Sequence, residues 1–164
     1  MDPKKVYEHF RQIISKQYFD MNGRMSRPDF WYFVLACVCV EIIAAIVGSI
    51  LFLAPVRAVV GLALLLPMAG IGARRLQDSG QNGQLIWLLI IPSAIMQLFG
   101  LLVWGPFGAL GFVAFYFTIG WLLNLVALIA ALAAIYFWVQ PGTPGPNAYG
   151  PPPPTFDPSV KPVA

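Results

Sequence analysis

The chain has 164 residues, 59% of them hydrophobic and 10% charged, and carries a net charge of +3 at neutral pH. Soluble globular domains hold about 25% charged residues, so this composition excludes an ordinary water-soluble domain and points to one compact helical membrane domain. The basic residues gather in two short segments, Lys4 to Arg27 and Arg74 to Arg75, a placement that sets membrane topology and is not a nucleic-acid footprint.

At the N-terminus, Asp2-Pro3 predicts a helix start, with Asp as the cap and Pro at the first helical position. Val6, Phe10, Ile13, Ile14 and Gln17 follow at helical spacing, and Lys4, Lys5, Arg11 and Lys16 occupy or flank the polar side. Residues 1–22 therefore read as an amphipathic helix that rests on an anionic membrane surface or packs on the protein's own loops. No cleavable signal is expected, because the first apolar run begins only near Phe30, after a segment that contains acids.

Gly23 breaks the pattern, and Ser26-Arg27-Pro28-Asp29 has the spacing of a capping box. The first span then runs from Phe30 to Leu53, interrupted by a single charge, Glu41. Its length of about 36 Å covers a hydrocarbon core of about 30 Å. Ala54-Pro55 ends it. A second span from Val56 to Leu76 is long enough if Arg57, Arg74 and Arg75 snorkel to the two interfaces, and Pro67 predicts a kink within it.

From Ser79 to Phe156 the chain has no Lys, Arg, Asp, Glu or His. At the start of this stretch Gln77 to Gly83 marks a turn, and within it Gln84 to Val103 is a third span containing Pro92 and Trp104 to Gly108 an aromatic interfacial turn. Ala109 to Val139 makes about 46 Å of helix, so the fourth span must tilt, bend near Gly120 or begin as an interfacial segment. The expected fold is thus all-α, a four-span transmembrane bundle over residues 23–140, with three spans as the competing count. Proline and glycine dominate residues 141–164, which predicts a mobile, polyproline-like tail.

Six basic residues precede the first span, one lies between spans one and two, two between two and three, and none between three and four. The positive-inside rule then places both termini and the Arg74 to Gly83 loop in the cytoplasm, with Arg57 and the Trp104 turn on the far side.

Arg24, Arg27 and Asp29 enter span one on the same side as Arg74, Arg75 and Asp78 leave span two, so one interfacial layer of arginine and aspartate is expected. Arginine forks bind phosphate well, which makes an anion or lipid-headgroup site one reading. The other is structural: the arginines set topology, cap a helix dipole and pair with Asp29 and Asp78. Glu41 is a candidate proton or cation site. No second acid, Lys or His stands mid-span to pair with it, so it reads equally as a protonated carboxyl bonded to Asn124, Gln97 or Ser49. Small-residue pairs such as Ala44 with Gly48, Ala69 with Ala73 and Ala127 with Ala131 suit close helix packing inside the bundle.

Enzyme signatures are missing: His9 stands alone, Cys37 and Cys39 point to different sides of a helix, and no metal-ligand pair or phosphate-cradling loop occurs. Neither catalysis nor a metal nor a cofactor is expected.

Three segments carry a resemblance. Tyr18 to Trp31, with Gly23-Arg24 and Ser26-Arg27 before an acid and two aromatics, resembles the opening motif of the bacterial membrane-protein family known as domain of unknown function 805. Arg74-Arg75-Leu76-Gln77-Asp78-Ser79-Gly80-Gln81-Asn82-Gly83 resembles its central motif, and Gly142 to Pro151 its closing one. Gln77 departs from the family pattern where His is common, Pro28 replaces a more usual Ser or Thr, and Gln84 stands where an aromatic usually opens the third span. The resemblance implies a multi-pass bacterial inner-membrane protein and no particular activity.

The leading expectation is a non-enzymatic integral membrane protein whose cytoplasmic Arg/Asp layer organises the bundle and contacts anionic lipid or a protein partner, with a homo-oligomer as another possible assembly. A small transporter or channel component, with Glu41 and Asn124 lining a path, is the alternative. A membrane enzyme acting on lipid headgroups at the arginine layer is the third.

Overall fold

The computed structural model describes residues 3–51, 55–102 and 108–153. Among the described residues six α-helices follow one another: α1 (Pro3–Lys16), α2 (Arg27–Ile50), α3 (Pro55–Asp78), α4 (Trp87–Leu102), α5 (Gly108–Phe115) and α6 (Trp121–Val139). A 3-10 turn, Gly83–Ile86, leads into α4, and a π turn, Tyr116–Gly120, joins α5 to α6. Four segments among the described residues are long and apolar enough to cross a membrane: Arg27–Ile50, Pro55–Asp78, Gly83–Leu101 and Val113–Val139. The chain is an all-α, four-span bundle. Asp2, Ala54, the aromatic turn from Trp104 to Phe107 and residues 154–164 lie outside the described residues.

At Ser26 the first half of the capping box forms, and the Asp29 carboxylate takes the Ser26 hydroxyl in place of its backbone amide. Ser26 Oγ accepts the Asp29 amide at 3.3 Å and donates its own proton to Asp29 Oδ2 at 2.5 Å. Pro28 occupies the first turn, where no intrahelical amide is needed.

The most enclosed span is α3, with 44% of its apolar window buried against 17%, 17% and 11% for the other three. The others therefore pack around it. Phe30 and Phe33 of α2, Ala69, Ile71, Ala73 and Leu76 of α3, Ile90 of α4 and Trp138 of α6 form the core, all toward the C-terminal half of α3. Helix α1 belongs to this core: Ile13 is buried and Phe10 stacks on Phe33 with centroids 5.4 Å apart, while Arg11 and Lys16 face outward. Its apolar side is thus spent on the protein itself.

Pro67 of α3 cannot donate to the carbonyl four residues before it, that of Ala63. Tyr18 fills the gap: its hydroxyl donates to Ala63 O at 2.5 Å. Close by, the loop after α1 lies directly on α3 at Gly70, where an added Cβ would stand 2.9 Å from the Asp20 carbonyl oxygen. Tyr18→Phe is expected to destabilise the protein by about 1–2 kcal/mol, the cost of leaving the Ala63 carbonyl without a donor in a membrane-spanning helix. With Pro67→Ala, which restores the helical donor, the same change should cost little, and a double-mutant cycle on detergent-solubilised protein measures that difference.

In the fourth run a π turn, Tyr116–Gly120, interrupts the α-helix and ends at Gly120. Thr118 contributes, its hydroxyl donating to the Ala114 and Phe115 carbonyls at 2.9 and 3.1 Å.

Two expectations are corrected. Arg74 and Arg75 do not snorkel; both are buried, Arg75 completely. The segments 17–25 and 140–150 fold over this end of α3 and bring carbonyl and side-chain acceptors that replace water. The tail is likewise not free from residue 141 onward, because Pro141 to Gly150 takes part in that cover. High proline density rules out a helix there but leaves carbonyl groups available as acceptors.

Candidate functional site

The last turn of α3 builds the layer. Gly80, at φ 80°, donates its amide to Gln77 O, and the Gln81 amide returns to Leu76 O, the two bonds of a Schellman motif. Two C-terminal carbonyls of α3 also receive donors from the closing motif. The Thr143 amide and hydroxyl donate to Asp78 O at 2.8 and 3.2 Å, and Asn147 Nδ2 donates to Gln77 O at 3.0 Å. A reciprocal backbone pair between Asn147 and Gly150 closes the strap on itself.

Arg75 points from α3 to the end of α6. Its Nε donates to Trp138 O at 3.0 Å, Nη2 donates to Gln140 O, and Nη1 donates to Met25 O at 3.5 Å and to Asp78 Oδ2. Arg27 Nη1 adds a bond to Val139 O at 3.2 Å. Two cations thus satisfy the orphan carbonyls at the negative end of the α6 dipole.

Arg24 completes the layer. Nε and Nη2 both meet Asp78 Oδ1 at 2.8 Å, Nη1 donates to Gly145 O at 2.7 Å and Nη2 to Thr143 O at 2.7 Å. Both side chains are withdrawn from solvent, Arg24 at 2% exposure and Asp78 at 5%. One carboxylate is therefore the shared counter-ion of two buried guanidinium groups, one from the loop before α2 and one from its own helix.

The layer as expected from sequence is brought together with two exceptions. Asp29 bonds Ser26 and forms no ion pair with an arginine among the described residues. Arg74 turns away from its neighbour: Nη1 donates to Gln17 Oε1 at 3.0 Å, while Nε and Nη2 are buried with no protein hydrogen-bond partner. Thr143, Asn147 and Gly142 were legible only as members of the closing motif. Their role shows once that motif is seen seated on α3.

At the opposite end of α3 the helices part. A cleft of about 580 Å³ lies between α2, α3, α4 and α6, lined among others by Glu41, Arg57, Ser93, Gln97 and Asn124. Gly61 makes room for it: a Cβ there would stand 1.9 Å from Gln97 Oε1 and 3.1 Å from Glu41 Oε1. The expected bonds from Glu41 to Asn124, Gln97 or Ser49 do not form among the described residues: Asn124 Nδ2 donates to Gly120 O at 2.9 Å, Ser49 Oγ to Ala45 O at 2.8 Å, and Gln97 turns its Oε1 toward the same point above Gly61 as Glu41 Oε1. Glu41 does have a charged neighbour, contrary to the expectation from the spans: Arg57 Nε lies 4.0 Å from Glu41 Oε2. The arginine reaches inward from the first turn of α3, a turn away from Gly61, so a residue assigned to the interface meets one assigned to the span.

Among the described residues no group of three His, Cys, Asp or Glu side chains could hold a metal. No curated protein and no solved structure matches the chain. Residues 18–151, which contain all three segments that converge on the layer, match the family described as protein of unknown function (DUF805), and the chain belongs to that family.

Proposed function

We propose that the chain is a non-enzymatic protein of a bacterial inner membrane, with its N-terminal helix and closing motif on the cytoplasmic side, in which the arginine–aspartate layer is a staple that fixes four spans at one end. The observation that carries this reading is the occupancy of the guanidinium groups: every nitrogen of Arg24 and Arg75 already has a carboxylate or carbonyl partner. To reach either arginine, a phosphate would have to displace Asp78, the strap carbonyls of Thr143 and Gly145 or the end of α6. The cations that remain outward, Arg11, Lys16 and Arg27, suit contact with anionic lipid or an acidic face of a protein partner. The charge distribution supports the orientation, since Lys4, Lys5, Arg11, Lys16, Arg24, Arg27, Arg74 and Arg75, eight of the ten basic residues, belong to segments at the layer end of the spans.

Arg24→Ala separates a staple from a headgroup site. As a staple, Arg24 leaves behind a partly unpaired buried carboxylate, and the variant should lose roughly 3 kcal/mol of stability in detergent while retaining anionic lipid as the parent does. Loss of anionic lipid in native mass spectrometry at an unchanged thermal midpoint would replace the staple with a headgroup site.

The cleft at Glu41 is the observation that favours a second reading, a small transport component. Phe33, Ala69, Ile71 and Ile90 occupy the core between cleft and layer, so a path would need a second copy of the chain. A leak across liposomes that depends on Glu41 would favour this reading over the staple.

A further inference from the structure

Two clefts of opposite character meet at one pair of charges. The first is the polar cleft already described. The second, of about 410 Å³, is an apolar groove between α2 and α3 beside Val34, Val38, Ile42, Ala45 and Met68. Glu41 and Arg57 line both. From Ala45 back to Val34 the groove follows α2 for about 16 Å, past Glu41 and across the middle of the span.

The charges are ordered by depth. Arg57 stands in the first turn of α3, at the end of its span, and its side chain is 74% exposed. Glu41 faces Gly61, one turn farther in. Its Oε1 and Gln97 Oε1 both lie within 3.1 Å of a single point above Gly61, and no protein donor bonds either oxygen among the described residues. Two acceptors converging without a donor suit a ligand that brings several N–H groups. A primary ammonium has three. A quaternary ammonium has none and is held by aromatic faces, and no aromatic side chain stands among the described residues that line this cleft. An exposed guanidinium at the end of a span suits a phosphate. A soluble zwitterion would satisfy both charges but would leave the apolar groove empty.

We propose that this junction binds a phospholipid with a primary-amine headgroup. Its ammonium sits on Glu41 and Gln97, its phosphate on Arg57, and one acyl chain lies in the α2–α3 groove. The proposal is independent of the staple at the other end of the bundle, and the result for Arg24→Ala does not bear on it.

The test uses the full chain, stripped of lipid in detergent and placed in bilayer discs containing phosphatidylethanolamine and phosphatidylcholine in equal amounts, with phosphatidylglycerol in a second series. Lipids retained on transfer back to detergent are counted by native mass spectrometry. The parent should retain the ethanolamine lipid over the choline lipid by about tenfold. Glu41→Gln and Arg57→Gln should each reduce that preference at least about fivefold without moving the thermal midpoint, because both side chains stand outside the core. Equal retention of the two lipids by the parent would overturn the proposal without any variant. So would a preference untouched by Glu41→Gln, or stronger retention of phosphatidylglycerol than of phosphatidylethanolamine, which would make Arg57 an ordinary interfacial cation.

Discussion

Replacing Asp78 by alanine is expected to remove about 3–5 kcal/mol of stability, because it strips the counter-charge from two buried guanidinium groups in a single step. Arg75 is completely buried and the Arg24 side chain is 2% exposed, so neither can recover its hydration without opening the layer. The backbone of Asp78 remains, and with it the bonds that its carbonyl accepts from Thr143. The loss therefore reports the carboxylate and not the strap. Asp78→Asn should fall between alanine and the parent: it keeps one acceptor for Arg24 or Arg75 but turns an N–H toward the other. Denaturant unfolding in mild detergent measures all three. A further variant tests whether the layer is chiefly electrostatic. Buried ion clusters can often be exchanged for apolar side chains of similar volume at little cost. Arg24→Met with Arg75→Met and Asp78→Leu should recover only part of the stability, however, because Arg75 also caps Trp138 O and Gln140 O, and methionine donates to neither. Full recovery would mean that those carbonyls find other donors. A loss below about 1 kcal/mol for Asp78→Ala would mean that water already reaches the layer.

What the sequence reveals about this bundle follows the range of each physical signal. The spans were legible because apolar runs of membrane length are a local property, and Ser26 with Asp29 was legible because a cap reaches only three residues. That Arg24, Arg75 and Asp78 share one end follows from two antiparallel spans. Which way each arginine points does not. Arg74 and Arg75 are adjacent, so on a helix they diverge by about 100°, and nothing in their spacing says that Arg75 faces α6 while Arg74 faces Gln17. The pairing of Glu41 with Arg57 was hidden for a related reason. It depends on the register of the α2–α3 hairpin, where a shift of one helical turn would carry Glu41 past Gly61. The closing motif misled most: proline and glycine density states that no helix forms, and it is silent on whether carbonyls and amides left free by an irregular chain find partners far away. Here they find Arg24, Gln77 and Asp78. Recognition of the family fixed which residues matter as a set, while their mutual capping needed three dimensions.

Gly142→Ala should be the most damaging single-methyl addition in the closing motif, at about 2–3 kcal/mol, the cost of forcing extra volume into a packed contact. A Cβ at this position would stand 2.1 Å from Asp78 Oδ2 and 2.7 Å from its carboxyl carbon. A side-chain tip at such a distance would ordinarily swing aside. Asp78 cannot, because Arg24 holds one oxygen and Arg75 the other. The strap must move instead, and Thr143, next in the chain, would be drawn away from the Asp78 carbonyl it caps. Hydrogen exchange of residues 141–150 should rise with the loss of stability, while exchange in α4, remote from the strap, stays as in the parent. Gly145→Ala provides the contrast. Gly145 has a positive φ of 75° and nothing within 4 Å of an added Cβ, so its substitution costs backbone conformation alone, about 1–2 kcal/mol. It should also leave the strap seated on α3. If Gly142→Ala were the milder of the two, the strap would not be pressed against the carboxylate, and the closing motif would be a passenger on the layer instead of one of its three parts.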